Sequence, residues 1–537
     1  MKSIPIVVGI TGHRLLRKSD YPLLKERVRT ELSQIKGLCP NSSLVLLDSI
    51  ASGVDSLCAE VALELGYELV VPLPFEQDEY TKDFEGEDLI VFKELINKAS
   101  KKFELTSLSE NNRDHGYLEA GLYIVKHSHI LIALWDGGEP KPNGCATAEV
   151  VDFAMRGTDE SKIVPTPITT IIHIYAPRAS AKEIKNVGET TIYENKQSSM
   201  FECLFMTDEF NKESINSDYD NSLVDEDTLK GLDVQLSYYN DLYKKADSLS
   251  SFYQKKYLSS LKLISLLSSF LALSYLLYDE MELKIMSLVL ICLIITVAVY
   301  LPTRPKKGKW HEKYLSYRML AESLRIQFFT FACDVKRNVA DLFSWSTREG
   351  NNWTYKALKV IEPVEINNLF KDRRVLETWI NEQLDYHKKA YKKNDESLKR
   401  NNTYSDILLL MTVSLYLIVV MLELMFPVFM NKILLTLNNE FLFINKGTEL
   451  DVRGMFKILT GIVAASALLL ANYYGKLSLD NKEDDHKRYT SLYVEANKVL
   501  SNPTDELIWE LAREELLINS AWLTYSKEND SNFLDIF

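Results

Sequence analysis

Four short segments bring together glycine, hydroxyl, imidazole, guanidinium and carboxylate groups in an order that suits an anionic ligand. In Gly9-Ile10-Thr11-Gly12-His13-Arg14, glycine lets the backbone approach a phosphate, and unpaired N–H groups at a strand-to-helix turn meet its charge. His13 and Arg14 add donors, and the guanidinium can grip two phosphate oxygens at once. A plain tight turn accounts for the same glycines equally well. The second segment, Ser49-Ile50-Ala51-Ser52-Gly53-Val54-Asp55, offers Ser52 and the Gly53 amide to a phosphate, while Asp55 serves either the ligand or the helix as its cap. The third, Trp135-Asp136-Gly137-Gly138, places an indole for stacking on a base or ribose, with core packing the competing use of Trp135. The fourth, Gly144-Cys145-Ala146-Thr147-Ala148-Glu149, presents Thr147 and Glu149 to ribose hydroxyls.

These segments need a scaffold that delivers them to one edge. Residues 1–177 alternate strand-like and helix-like stretches. Strands are expected at 6–10, 43–48, 68–73, 129–135 and 168–175, and helices at 21–36, from the turn at 51–55 to about 65, at 87–100 and at 115–126. That alternation predicts an α/β, Rossmann-like parallel sheet with helices on both faces, whose ligands sit at the carboxyl ends of the strands. Residues 178–230 are polar and read as a linker.

The remainder is apolar in bursts. Dense runs at 263–278, 285–301, 407–426 and 458–474 stand out from a chain of 537 residues with an ordinary 46% hydrophobic content. A bilayer core of about 30 Å takes about 20 helical residues, and flanking Lys262 and Lys457 can snorkel to extend the shorter runs. Four transmembrane helices in two hairpins are therefore expected, at about 258–278, 285–301, 405–426 and 455–474. Two buried core hairpins in a helical bundle are the alternative. Lysine and arginine crowd before the first and third runs and after the second and fourth, which predicts cytoplasmic N- and C-termini and an integral protein of the inner, cytoplasmic membrane. Glu423 is the one carboxylate within the runs and a pore candidate, although its place near the outer end equally suits the interface. Four thin helices enclose little water, so a pore implies a homo-oligomer.

The helical part also repeats. Gln235–Asp247 aligns with Gln383–Asp395 at an offset of 148, and His311–Ser316 aligns with His486–Ser491 at an offset of 175. Duplicated units are expected at 231–340 and 372–537, joined by a connector at 341–371.

Charge and cysteine content narrow the partners. A net charge of −13 argues against nucleic acid as the main partner but leaves room for a small anion at a local basic site. Six scattered cysteines without a CxxC pair fit reduced cytoplasmic thiols, and no metal site can be drawn. The apolar run in the first fourteen residues is too short for a signal peptide and reads as a strand.

The order and spacing of Gly9-x-Thr11-Gly12-His13-Arg14, Ala51-Ser52-Gly53-Val54-Asp55 with Ala59 and Ala62 following, Leu73-Pro74-Phe75 with Tyr80 and Asp83-Phe84, and Ile132–Gly137 resemble the SLOG superfamily over residues 1–177. This Rossmann-like group includes the DprA DNA-processing proteins and the LOG nucleotide phosphoribohydrolases. The two hairpin units resemble SLATT two-transmembrane effector domains, through the paired Gln-x-x-Tyr-like helices and Tyr317-Arg318 with Ala321-Glu322. The resemblance implies a membrane effector of prokaryotic antiviral defence. Its SLOG domain would bind a nucleotide or NAD-derived messenger through Gly9, Thr11, Gly12, His13, Arg14, Ser52, Gly53, Asp55, Trp135, Asp136, Gly137, Thr147 and Glu149. No other cofactor is required, and a messenger-producing enzyme encoded nearby is the implied partner. LOG-type enzymes use a Pro-Gly-Gly-x-Gly-Thr-x-x-Glu-like loop to place a catalytic glutamate. Here Thr147 and Glu149 remain but the glycine pairs do not, so binding is expected over hydrolysis, with a Glu149-dependent nucleotide or NAD hydrolase, or a ligand-sensing membrane anchor, as the alternatives.

Overall fold

The computed structural model describes residues 3–105, 113–141, 146–156, 169–181, 186–194, 200–214, 222–224, 234–280, 284–300, 308–344, 347–348, 351–361, 373–425, 435–437, 448–450, 452–477, 479–499 and 503–528. The chain folds as two units, one of residues 1–245 and 320–372, the other of 246–319 and 373–537.

The first unit is built on β1 (Ile6–Gly12), α1 (Tyr21–Leu38), β2 (Leu44–Leu47), α2 (Val54–Glu64), β3 (Glu68–Leu73), α3 (Gln77–Thr81), α4 (Gly86–Lys98), β4 (Lys101–Glu104), α5 (Arg113–Lys126), β5 (Ile130–Trp135), α6 (Thr147–Arg156), β6 (Thr170–Tyr175), β7 (Thr190–Tyr193) and α7 (Met200–Lys212). The strands form one sheet in the order β4-β3-β2-β1-β5-β6-β7, parallel except for the antiparallel edge strand β7. The central strands are unbroken apolar runs because both faces of the sheet are covered. The two-residue period divides them cleanly. Ile6, Val8, Ile10, Ile130, Ile132 and Leu134 join the core beneath α1, α2 and α4. Val7, Leu131, Ala133 and Trp135 join the opposite core with Ile124 of α5 and Val150 and Phe153 of α6.

Within the linker expected at 178–230 and the connector expected at 341–371, the described residues include regular elements. Residues 190–193 are the edge strand, and α7 packs on the sheet with Leu204, Met206 and Phe210 buried. Asp208 on α7 accepts from the Asn41 amide and the Ser42 hydroxyl, and Asn211 bonds the Ile4 backbone on both sides. The polar average of this segment conceals a few apolar positions at helical spacing, enough to dock a three-turn helix. Within 341–371, α11 (Asn352–Val360) also docks on this unit. Its Trp353 indole donates to Thr207 Oγ1 at 2.9 Å, and the buried Lys356 ammonium donates to the Ser128 carbonyl at 2.9 Å.

The remaining elements are helical: α8 (Val234–Glu280), α9 (Lys284–Tyr300) and α10 (Trp310–Ala332), which precede α11, then α12 (Arg373–Met425), the short strands β8 (Leu435–Leu437) and β9 (Thr448–Leu450), α13 (Val452–Leu477), α14 (Leu479–Val499) and α15 (Asp505–Glu528). The two halves follow the same plan, a long helix, a shorter apolar helix and a further helix. The aligned histidines each turn to the long helix of their own half. His311 stacks on Tyr257 of α8 with ring centroids 4.3 Å apart, and His486 Nδ1 lies 2.9 Å from His387 Nδ1 of α12.

Both long helices change character along their length. At 1.5 Å per residue, α12 extends about 80 Å and α8 about 70 Å. Among the described residues, two helices, within Leu236–Tyr275 and Val375–Leu422, are long and apolar enough to cross a membrane. The apolar stretches of α9 (Leu288–Val297) and α13 (Phe456–Ala471) are shorter. Along α12, Leu409, Leu410, Leu417 and Met421 are each more than 60% exposed, a surface that water would penalise and lipid would not. The side chain of Glu423 lies outside the described residues.

Candidate functional site

Strand β1 has β2 on one side and β5 on the other, so the chain reverses its direction of sheet growth there. In open α/β sheets the crevice outside the carboxyl ends at such a point receives the ligand. The first and third sequence segments meet at this place. Gly12 pairs with Leu134, and the next residue continues the ladder, with the His13 N–H donating to the Leu134 carbonyl at 3.2 Å. The His13 ring, 6% exposed, then sits beside Asp136, its Nε2 accepting from the Asp136 backbone N–H at 3.2 Å and lying 3.1 Å from Oδ1.

Arg178, just past the end of β6, completes the group. Its Nε is 3.2 Å from Asp136 Oδ2 and 3.4 Å from His13 Nε2, while its side chain is 49% exposed. Burial, reinforced by the Arg178 charge, lowers the His13 pKa against the opposing pull of Asp136. Burial would raise Asp136, but His13, the Gly138 N–H and Arg178 together hold its carboxyl below the usual range. Near neutral pH the group is thus a neutral imidazole, a carboxylate and a half-exposed guanidinium.

Arg14 turns to the other side of the turn. It lies over the Tyr117 ring, 4.8 Å from the centroid, with Nη2 3.8 Å from Asp83 Oδ2. Asp83 also holds Arg113 of α5 and accepts from the Tyr117 hydroxyl, and Arg113 pairs with Glu79 as well. Burial works against the Arg14 charge, but Tyr80, Tyr117 and Asp83 outweigh it and raise the pKa. The carboxyl edge of the sheet therefore carries one arginine on each side of β1, each steadied by an aspartate.

Three of the glycines have work inside the chain. A Cβ on Gly9 would stand 2.7 Å from Ile124 and one on Gly12 2.4 Å from Val54, so both sites let a helix close on β1. Gly53 has φ +89°, and a Cβ there would stand 2.2 Å from the Arg14 carbonyl oxygen. The Val54 N–H donates to the His13 carbonyl at 3.3 Å, so the first and second segments touch directly. Thr11 is buried, whereas Gly137, at φ +76°, turns the chain after β5, where the Gly138 N–H bonds Asp136 Oδ1.

Asp55 takes a third role, neither phosphate contact nor simple cap. Its carboxyl faces that of Asp48, which is fully buried at the end of β2 and accepts from the Ile50 N–H at 2.8 Å. Burial pushes the Asp55 pKa up to about 7 despite the nearby Arg14 charge, and burial with the Asp55 charge also raises Asp48 well above its ordinary value. The two share a proton, because like charges this close and this buried cannot both ionise. The turn between them holds Ile50 at φ 50°, a strained conformation for a β-branched residue. Ser52 is half-buried in the same turn.

The last two segments resolve as packing and capping. Trp135 is 8% exposed, donates its indole N–H to the Gly138 carbonyl at 3.1 Å and lies against His173, so it belongs to the core. Thr147 is buried at the start of α6. Glu149 reaches back over that helix start, Oε1 accepting from the Lys141 N–H at 2.7 Å and Oε2 from the Ala146 N–H at 3.0 Å. This is the acidic half of a capping box. Gly144 and Cys145 lie outside the described residues.

Sequence reading missed Arg178, Asp48, Arg113 and Tyr117, and noted Asp83 only as part of a family-like motif, without a partner. Arg178 alone had a usable signal, its place immediately after a strand whose carboxyl end borders the site. Among the described residues no three potential metal ligands come together. No family model matches the chain, and no curated protein matches it.

Proposed function

We propose that the chain is a ligand-gated membrane effector whose α/β unit binds a nucleotide or NAD-derived messenger at the carboxyl ends of β1 and β5. The observation that carries this reading is the His13–Asp136–Arg178 group at the point where the sheet reverses its growth, with Arg14 across the turn. The two guanidinium groups supply donors for a pyrophosphate. The alternative nucleotide or NAD hydrolase asks Glu149 to move a proton, yet both its oxygens are engaged by backbone N–H groups. Binding is therefore the better reading, and Glu149 caps the start of α6.

The output is the membrane. On this reading the two long apolar helices and the shorter apolar stretches of α9 and α13 make four crossings in two hairpins, and the basic flanks in the sequence put both termini on the cytoplasmic side. Ligand binding favours a self-associated state of these hairpins that permeabilises or depolarises the inner membrane. It does so only as far as the ligand prefers that state. The likeness to SLOG and SLATT units supports a role in prokaryotic antiviral defence.

The test is calorimetry of the detergent-purified chain with ADP-ribose, NAD and nucleotide monophosphates and diphosphates, paired with dye release from liposomes carrying the chain. Binding followed by release is the expected result. Binding without release identifies an anchor, and no binding by any anion removes the messenger site.

A further inference from the structure

We infer that the cytoplasmic foot of the first membrane hairpin is a binding site for the phosphate of an anionic glycerophospholipid, held by Lys256 and Lys262. This rests on the bilayer reading proposed above and is independent of any ligand in the α/β unit.

The two lysines lie on α8 just ahead of its apolar stretch, Lys262 immediately before Leu263 and Lys256 about 9 Å lower along the axis. Both are exposed. Among the described residues their contacts are with rings rather than carboxylates. Lys256 Nζ is 4.2 Å from the Phe252 ring centroid and 5.3 Å from that of Trp310 at the start of α10. Lys262 Nζ is 5.9 Å from the Tyr473 centroid, near the end of α13.

A ring face orients an ammonium without neutralising it. The contrast within the chain is direct. Lys309 is paired with Glu312 at 3.3 Å and Lys399 with Asp395 at 2.8 Å, and such pairs have little charge left to offer an anion.

Depth points to the occupant. The contact between Lys262 and Tyr473 puts the beginning of one apolar stretch level with the end of another, as two feet on the same membrane face require. Above Lys262 the exposed surface is apolar at once, with Leu263, Leu266 and Phe270 each at least 40% exposed. Trp310 and Tyr473 are amphipathic rings of the kind that settle at headgroup level. An acyl chain lying on Leu263, Leu266 and Phe270 brings its own phosphate down to the two ammonium groups. A choline or ethanolamine headgroup also brings a cation, which the lysines repel, so the site favours a headgroup with net negative charge.

The experiment uses the full chain in phosphatidylcholine nanodiscs with and without phosphatidylglycerol, and native mass spectrometry to count the lipid that stays bound. The wild type should retain phosphatidylglycerol in preference to phosphatidylcholine. Each Lys→Gln change, Lys256→Gln or Lys262→Gln, should lower that preference about fivefold, while Lys256→Arg keeps it and inorganic phosphate does not compete. An unchanged preference in the doubly substituted chain, or full competition by inorganic phosphate, overturns the lipid site. A chain that enters the discs without any anionic preference overturns it alone, whereas a chain that never co-migrates with discs overturns the bilayer reading too.

Discussion

His13 Nε2 stands 3.1 Å from Asp136 Oδ1, although 123 residues separate the two in sequence. Their meeting is a consequence of β1 and β5 being neighbours in the sheet, and it creates the seat on which Arg178 rests. Arg178 is the member of the group with most surface to offer, and Asp136 fixes its direction. Arg178→Ala should weaken binding of the active nucleotide about 10- to 100-fold, the worth of one charge-assisted hydrogen bond or two. Arg178→Lys should recover only part of it, because a point charge cannot reproduce the fork. Calorimetry of the two variants is the check, and full affinity in Arg178→Ala assigns the anion elsewhere.

The glycine pair at the same place separates packing from ligand contact. Gly12→Ala meets the Val54 side chain, whereas Gly53→Ala meets the Arg14 backbone and must also adopt φ +89°. Each should lower stability by about 1–3 kcal/mol. Adding Val54→Gly, which removes the Val54 Cβ at 2.5 Å together with both methyl groups, should recover part of the loss for Gly12→Ala and none for Gly53→Ala. Thermal unfolding of the two double variants decides the matter. Equal recovery in both would mean that the two loops do not abut as described.

How much of this was legible follows from range. The strands at 68–73 and 130–135 are written locally, as apolar runs closed by turn residues, and the structure places them almost residue for residue. Strand β4 is not, because Lys101–Glu104 buries only Phe103 and is recruited by the edge of β3. Helix α7 was hidden by the polar average around it, and its anchors Asn41 and Asp208 are 167 residues apart. At the site, His13, Arg14 and Asp136 were visible as reactive types beside glycine. Their partners Arg178 and Arg113 were not, since each reaches its place through the fold of a different segment, and Asp83 stood in a recognisable motif without a sign that it would meet Arg14. Glycine carried a double meaning that sequence alone could not separate, phosphate approach or close packing, and at Gly9, Gly12 and Gly53 packing is what the geometry shows.

The Asp48–Asp55 pair sets an alkaline weakness. The folded chain keeps a proton there up to about pH 7, while an unfolded aspartate releases it near 4. Between those values the native state binds more protons, so this pair's contribution to stability falls as pH rises through that window. Asp48→Asn replaces the protonated partner with a neutral amide of the same shape and leaves Asp55 without a like charge. The variant should therefore lose less stability than the wild type between pH 4 and pH 7, as followed by chemical denaturation of the chain in detergent. An identical slope would show that the two carboxyls do not share a proton.

His129 sets the opposing, acidic weakness. Its fully buried ring accepts from the Val7 N–H at 3.2 Å through Nδ1, and burial, with the Lys356 charge adding to it, lowers its pKa to about 3. An unfolded histidine takes up its proton near pH 6.5. From there down to about pH 3 the unfolded chain binds more protons than the native one, so stability is present above that window and is lost as pH falls through it. The full loss amounts to about 5 kcal/mol at most. His129→Gln cannot be protonated, so its midpoint should move much less than that of the wild type between pH 7 and pH 4.5, even where it starts lower because the bond to Val7 has changed. The comparison of slopes rather than of starting stabilities is what isolates the histidine. Parallel acid transitions in the two chains would assign the loss to other groups in the fold.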